Sequence, residues 1–108
     1  MKLICILSTA PSLPIARKLA KVLIQSKLAA CVNIIPEIES HYVWKGKLEK
    51  SNEVQLVIKT QAKHFKKIEA LFKDNHPYEV PELIAFSICL GSSAYLKWVS
   101  ESISNKTT

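Results

Sequence analysis

Apolar positions recur along the chain in two rhythms, a period near two and a period near 3.6, and each rhythm predicts an element. In residues 2–8 (KLICILS), Leu3, Cys5 and Leu7 interleave with Ile4 and Ile6, so the predicted strand is apolar on both faces. Residues 11–28 (PSLPIARKLAKVLIQSKL) change to helical spacing. Ile15, Leu19 and Val22 form a stripe widened by Ala16, Ala20 and Leu23, with Ser12 placed to cap and Pro14 in the first turn. Residues 30–60 predict a long hairpin. Its first arm, rich in β-branched and aromatic residues, is interrupted by Pro36, which calls for a bulge or an edge position. Lys45-Gly46 marks the turn, and Val54, Leu56 and Ile58 alternate with polar partners on the return. A second helix is predicted over residues 61–75 (QAKHFKKIEALFKDN), capped by Thr60 and burying Phe65, Ile68 and Phe72. LIAFSICL (83–90) is again apolar at both parities, and Gly91-Ser92 opens a last helix through Tyr95, Leu96, Val99 and Ile103.

Strand, helix, strand, strand, helix, strand and an added helix is the order of an α+β, ferredoxin-like βαββαβ sandwich with an extra C-terminal helix. Residues 1–108 are read as one domain. In that architecture two helices cover only one face of the sheet, yet the first and last strands are apolar on both. The third helix is too short to cover the remainder, so the pattern predicts a homo-oligomer that buries the second face and the edge strands.

Composition narrows the function classes. Apolar residues are 48% of the chain and charged residues 22%, as in a folded soluble domain. The net charge is +6, but all except one of the 15 basic residues are lysine, which lacks the planar fork that reads base edges. RNA-recognition domains share this element order, but they stack bases on aromatics of the central strands, and KLICILS and EVQLVIKT carry none. No nucleic-acid partner is expected. No run approaches the ~18 apolar residues of a membrane span, and Leu3 to Leu7 is too short for an export signal. Cys5, Cys31 and Cys89 are odd in number and flanked by apolar residues, so they read as reduced, packed thiols and imply a cytoplasmic location.

With only Gly46 and Gly91, the chain has no phosphate-cradling loop and no dinucleotide fingerprint. It also lacks a G-x-S-x-G elbow, a Cys-x-x-Cys pair, and two histidines at metal-ligand spacing on one element. His41 and His64 have no ligand set beside them and read as solvated or locally bonded. Residues 76–82 (HPYEVPE) stand apart: an imidazole, a phenol and two carboxylates are gathered around two prolines. Pro77 and Pro81 push His76 and Val80 toward extended backbone, so the segment reads as a stiff extended connector. Its side chains admit a structural role and a binding role, and His76 with Glu79 or Glu82 also admits acid–base chemistry, although no activated nucleophile accompanies them.

Several motifs in order, TAP (9–11), KLAACVNIIP (27–36), YVWKGKLE (42–49), EVQLVIKT (53–60), HPYEVPEL (76–83) and YLKW (95–98), resemble the CutA divalent-cation-tolerance family nearly end to end. The resemblance implies a tight homotrimer with strands paired between subunits, similar in architecture to the PII signalling proteins. It also implies a non-enzymatic role in divalent metal ion tolerance, with Cu(II) or another divalent cation as ligand. By motif position the ligands would be His76, Glu82 and the residue before Thr9. That residue is Ser8, a departure from the cysteine of the copper-binding pattern, because a hydroxyl is a poor ligand for soft copper; Cys31 is a possible substitute thiol. On this reading a subunit-boundary cleft is lined by His76, Tyr78 and Glu82, and Lys59, Tyr42 and Trp44 are further ligand-binding candidates. The alternatives are a trimeric scaffold or signalling protein without a physiological metal, and a small enzyme using His76 and Glu82.

Overall fold

The computed structural model describes residues 2–104. Four antiparallel strands, β1 (Leu3–Ala10), β2 (Cys31–Trp44), β3 (Lys47–Gln61) and β4 (Ile84–Ser87), form one sheet in the order β2-β3-β1-β4. Three helices accompany them: α1 (Leu13–Gln25), α2 (Phe65–Asn75) and α3 (Ser93–Ser102). The order and pairing are those of the expected ferredoxin-like sandwich.

One face of the sheet forms the core. Ile4 and Ile6 of β1 and Val54, Leu56 and Ile58 of β3 pack with Ala16, Leu19 and Leu23 of α1 and Ile68 and Phe72 of α2. The deepest residues of α1 are thus Ala16, Leu19 and Leu23, and Ile15 and Val22 flank them half-buried. Ser12 caps α1 as expected, its hydroxyl accepting the Ile15 N–H. Each strand's other parity faces away. On that second face Leu7 pairs with Val57 and Ile84, and Cys5 pairs with Lys59 and Phe86. The helix α3 packs against β3 and the Leu3 end of the sheet, burying Val99 and Ile103. It leaves Ile35, Ile84 and Phe86 exposed at 47%, 48% and 55%.

Two backbone features shape the hairpin. Lys45 and Gly46 both have positive φ, 52° and 80°, the conformation of a two-residue turn whose twist matches its strands. At Pro36 the register slips: Ile35 pairs with Gln55 but Ile38 with Glu53, so β2 carries one extra residue and Glu37 takes a φ of 61°. The expected bulge is present. Because side chains alternate with period two, the extra residue reverses the facing of everything beyond it. Before the bulge Cys31, Asn33 and Ile35 point to the second face; after it Ile38, Ser40, Tyr42 and Trp44 do. The arm also projects, since β1 stops at the pair Ala10–Val54 and residues 47–53 run on for about 23 Å without it.

Four expectations need correction. Thr60 does not cap α2: it is still in β3, its hydroxyl donates to the Leu28 carbonyl at 2.5 Å, and the Ala62 N–H continues the ladder to Lys2. A turn of 3-10 helix, Ala62–His64, intervenes before α2 begins at Phe65. The last strand is only Ile84–Ser87 rather than residues 83–90, because only Ile4 to Leu7 of β1 pair with it. Cys89 is exposed rather than packed. The second histidine differs as well: His41 bonds locally to Glu39 at 2.6 Å, as expected, but His64 is half-buried with Nε2 lacking a protein partner.

Burial first, then Lys63 and Lys67, lowers the His64 pKa from its ordinary value of 6.5. The folded state therefore holds this ring neutral more strongly than the unfolded chain does. Its contribution is present above pH 6.5 and is lost as pH falls through the lower folded value. Urea midpoints should consequently fall between pH 7.5 and 5.5, and His64→Leu should shrink that fall; an unchanged slope would assign the acid sensitivity to other groups.

Candidate functional site

The segment between α2 and β4 folds back on the sheet instead of spanning to it as an extended connector. His76 ends α2 in extended backbone, as Pro77 requires, and its ring turns inward to 7% exposure. There Nε2 lies 2.7 Å from the Thr9 carbonyl, which can only accept, so Nε2–H is the donor. The Tyr78 N–H donates to Nδ1 at 3.1 Å. Both ring nitrogens are thus engaged by main chain, and the ring is flanked by Phe72 and Tyr78 at centroid distances of 5.7 and 4.8 Å. His76 braces the bend.

The bend aims Tyr78 at the sheet, where its hydroxyl donates to Glu53 Oε2 at 2.6 Å. Burial and then the bond to Glu53 raise the Tyr78 pKa well above the usual phenol range, so the phenol keeps its proton. Beside them Glu82 is pushed above its ordinary value, mostly by burial and then by the Glu53 charge. Desolvation and a like charge act in the same direction here. Thr9, Tyr42, Trp44, Glu53, Pro77, Tyr78, Glu79, Val80 and Glu82 line an open cleft of about 410 Å³. Tyr42 and Trp44 reach it only because the bulge at Pro36 turned them to the Glu53 side of the hairpin.

Of the residues singled out from the sequence, Tyr42, Trp44, Tyr78 and Glu82 therefore meet at one cleft, with His76 behind its wall. Lys59 does not join them. It lies on the same face as Glu53 but about 20 Å along the strand for six residues, beside Cys5 and Cys31, and its ammonium donates to Asn33 Oδ1. Ser8 points to the helix-covered face, fully buried, and donates to the Glu82 carbonyl at 2.6 Å. Position 8 thus does adjoin Glu82, through main chain rather than as a ligand side chain. Cys31 bonds to Asn33 and is likewise remote from the cleft. Glu53 is the residue that sequence reasoning missed. Its place on the polar parity of EVQLVIKT suggested a wet side chain, and only the bulge across from it, at Ile35/Ile38, could have hinted otherwise.

The donor set decides what the cleft can hold. Its charged donors are carboxylate oxygens, which suit hard or borderline divalent ions and not soft Cu(I). Among the described residues no group of three or more His, Cys, Asp and Glu side chains converges as a ready cage. A single chain therefore offers the pair Glu53 and Glu82, and further ligands have to come from water or from another chain.

A family model described as CutA1 divalent ion tolerance protein matches residues 4–102. The chain is 43% identical over 96 residues to the divalent-cation tolerance protein CutA of Thermus thermophilus, covering 89% of this chain and 93% of that protein. It is also 43% identical over 103 residues to mouse protein CutA, covering 93% of this chain but only 58% of that longer protein. The crystal structure of CutA from Xylella fastidiosa superposes with a TM-score of 0.92 at 40% identity, covering 96% of this chain and all of that one. CutA1 from Oryza sativa gives 0.93 at 40% identity, with 98% and 97% covered.

Proposed function

Because this chain belongs to the CutA1 divalent ion tolerance family, we propose that it serves divalent metal ion tolerance, copper included, by holding a cation or small ligand in the cleft of Glu53, Tyr78 and Glu82. The observation that carries this reading is the forced proximity of two carboxylates. Glu53 and Glu82 are partly desolvated side by side, and burial first, then the neighbouring Glu53 charge, raises the Glu82 pKa. A bound cation relieves both penalties at once.

The cleft adjoins the uncovered second face of the sheet, so identical copies closing on that face would set it at a subunit boundary, as the resemblance to trimeric, PII-like assemblies implies. A second copy could then supply the ligands that one chain lacks. His76 enters this reading as the brace of the wall, since binding metal would require breaking its bond to Thr9 or to Tyr78. The same engagement favours binding over turnover, because neither ring nitrogen is free to move a proton. The reduced thiols are consistent with the proposed cytoplasmic location.

Calorimetric titration of the metal-free protein with Cu(II), Zn(II) and Mn(II) tests the reading. Glu82→Gln is expected to weaken divalent binding by tenfold or more, and also to raise the thermal midpoint slightly in metal-free buffer by removing a strained charge. Wild-type protein that takes up no divalent ion would overturn the metal role of the cleft.

A further inference from the structure

The cleft is much larger than a metal ion needs, and its walls have the wrong chemistry for metal alone. Its 410 Å³ is within the range of small-molecule sites, whereas a water occupies about 30 Å³ in the liquid. Tyr42, Trp44 and Val80 contribute apolar or π surface, and Glu53, Glu79 and Glu82 contribute negative charge. Among the described residues its lining includes no lysine or arginine, on a chain of net charge +6, and Lys45 reaches only its rim. An anion would meet three carboxylates, and a neutral apolar guest would desolvate them without compensation.

The chain itself shows which class of guest fits. The Lys45 ammonium stands over Trp44, 5.7 Å from the ring centroid, and 4.0 Å from Glu79 Oε1. Both ends of that ion pair are well exposed, so the tie is weak and readily displaced. One positively charged nitrogen thus already uses an aromatic face and a carboxylate of the cleft together, the combination that recognises poorly hydrated organic cations.

We infer that the cleft binds a small organic cation, of the ammonium or quaternary ammonium class, against Trp44 and Tyr42 with Glu79 as the counter-charge, and that Lys45 is its internal competitor. This rests on the reading of the cleft as a ligand site and names the ligand chemistry of its aromatic half. The Glu53 and Glu82 pair remains for the divalent ion.

Choline is the probe, and 3,3-dimethylbutan-1-ol, its neutral isostere, is the control. Binding is read from the indole N–H resonance of Trp44 in the full chain, with Trp98 of α3 as an internal reference outside the cleft. Choline is expected to shift Trp44 saturably, and the alcohol to bind at least tenfold more weakly. Trp44→Leu, followed through the amide of Tyr78, should weaken choline tenfold or more, while Lys45→Met should tighten it severalfold. That last change separates a displaced competitor from a general loss of surface. Equal affinity for choline and the alcohol, or a Lys45→Met variant that binds choline no better, overturns the inference. Failure of choline alone, with divalent binding still dependent on Glu82, removes this inference and leaves the proposed function standing; failure of both in folded protein removes both.

Discussion

Light scattering on the purified protein is expected to return three times the chain's 12.1 kDa, and Phe86→Glu to reduce it to a single chain's mass. The need for partners comes from the sheet. Ile35, Ile84 and Phe86 remain about half exposed on its second face after α3 has covered the Leu3 end. Beyond it, the hairpin arm carries Val43 and Leu48 into solvent. The strands β2 and β4 are edges with unpaired main-chain groups. An apolar surface with two open edges is the profile of a permanent interface, which typically buries 2,000 Å² or more in total. The number three comes from the family resemblance, not from the face itself. A glutamate at position 86 would place an unpaired charge where water is excluded, at a penalty of several kcal/mol. Lys73→Glu, on the outer side of α2, is the matched control and should leave the mass unchanged. A wild-type protein that remains one chain at micromolar concentration would end the assembly argument, and with it the placement of the cleft at a subunit boundary.

The second large effect concerns His76. His76→Ala should destabilise metal-free protein by about 3 kcal/mol, from the loss of two buried hydrogen bonds, an orphaned Thr9 carbonyl and the space left between Phe72 and Tyr78. For a domain of this size that corresponds to a fall of roughly 10–20 °C in Tm. The bend should loosen with it, so Tyr78 would release Glu53 and the cleft would lose its wall. Loss of metal binding in this variant would therefore say little about ligation. Glu82→Gln is the cleaner probe, because Glu82 faces the cleft and its main-chain bond to Ser8 survives the substitution. The opposite pattern is equally clear: His76→Ala with an unchanged midpoint in chelator but no copper uptake would make the imidazole a ligand.

The relation between the candidate site and the sequence differs from residue to residue. Tyr78 and Glu82 were legible because each follows a proline in a segment too polar for the core and too rigid for a linker. Tyr42 and Trp44 were legible as aromatics on one side of a strand, but not the side they would take. That was decided by the extra residue at Pro36, which reverses the strand's faces. Glu53 and Lys59 show the same limit from the other direction. Both sit on one parity of β3, yet Glu53 is buried under Tyr78 while Lys59 lies some 20 Å away beside two cysteines. Parity says which face a side chain takes, and nothing about what crosses over it.

Hydrophobic period, caps and turn residues determined the elements themselves, their order and the surplus of apolar β surface. These are properties of a few neighbouring residues, and the physics that reads them is equally short in range. The brace at His76, the burial of Glu53 and the joining of carboxylates with aromatics in one cleft were decided only by tertiary structure. They depend on contacts between residues 25 to 67 positions apart, and those distances are set by sheet register and one bulge rather than by any local preference.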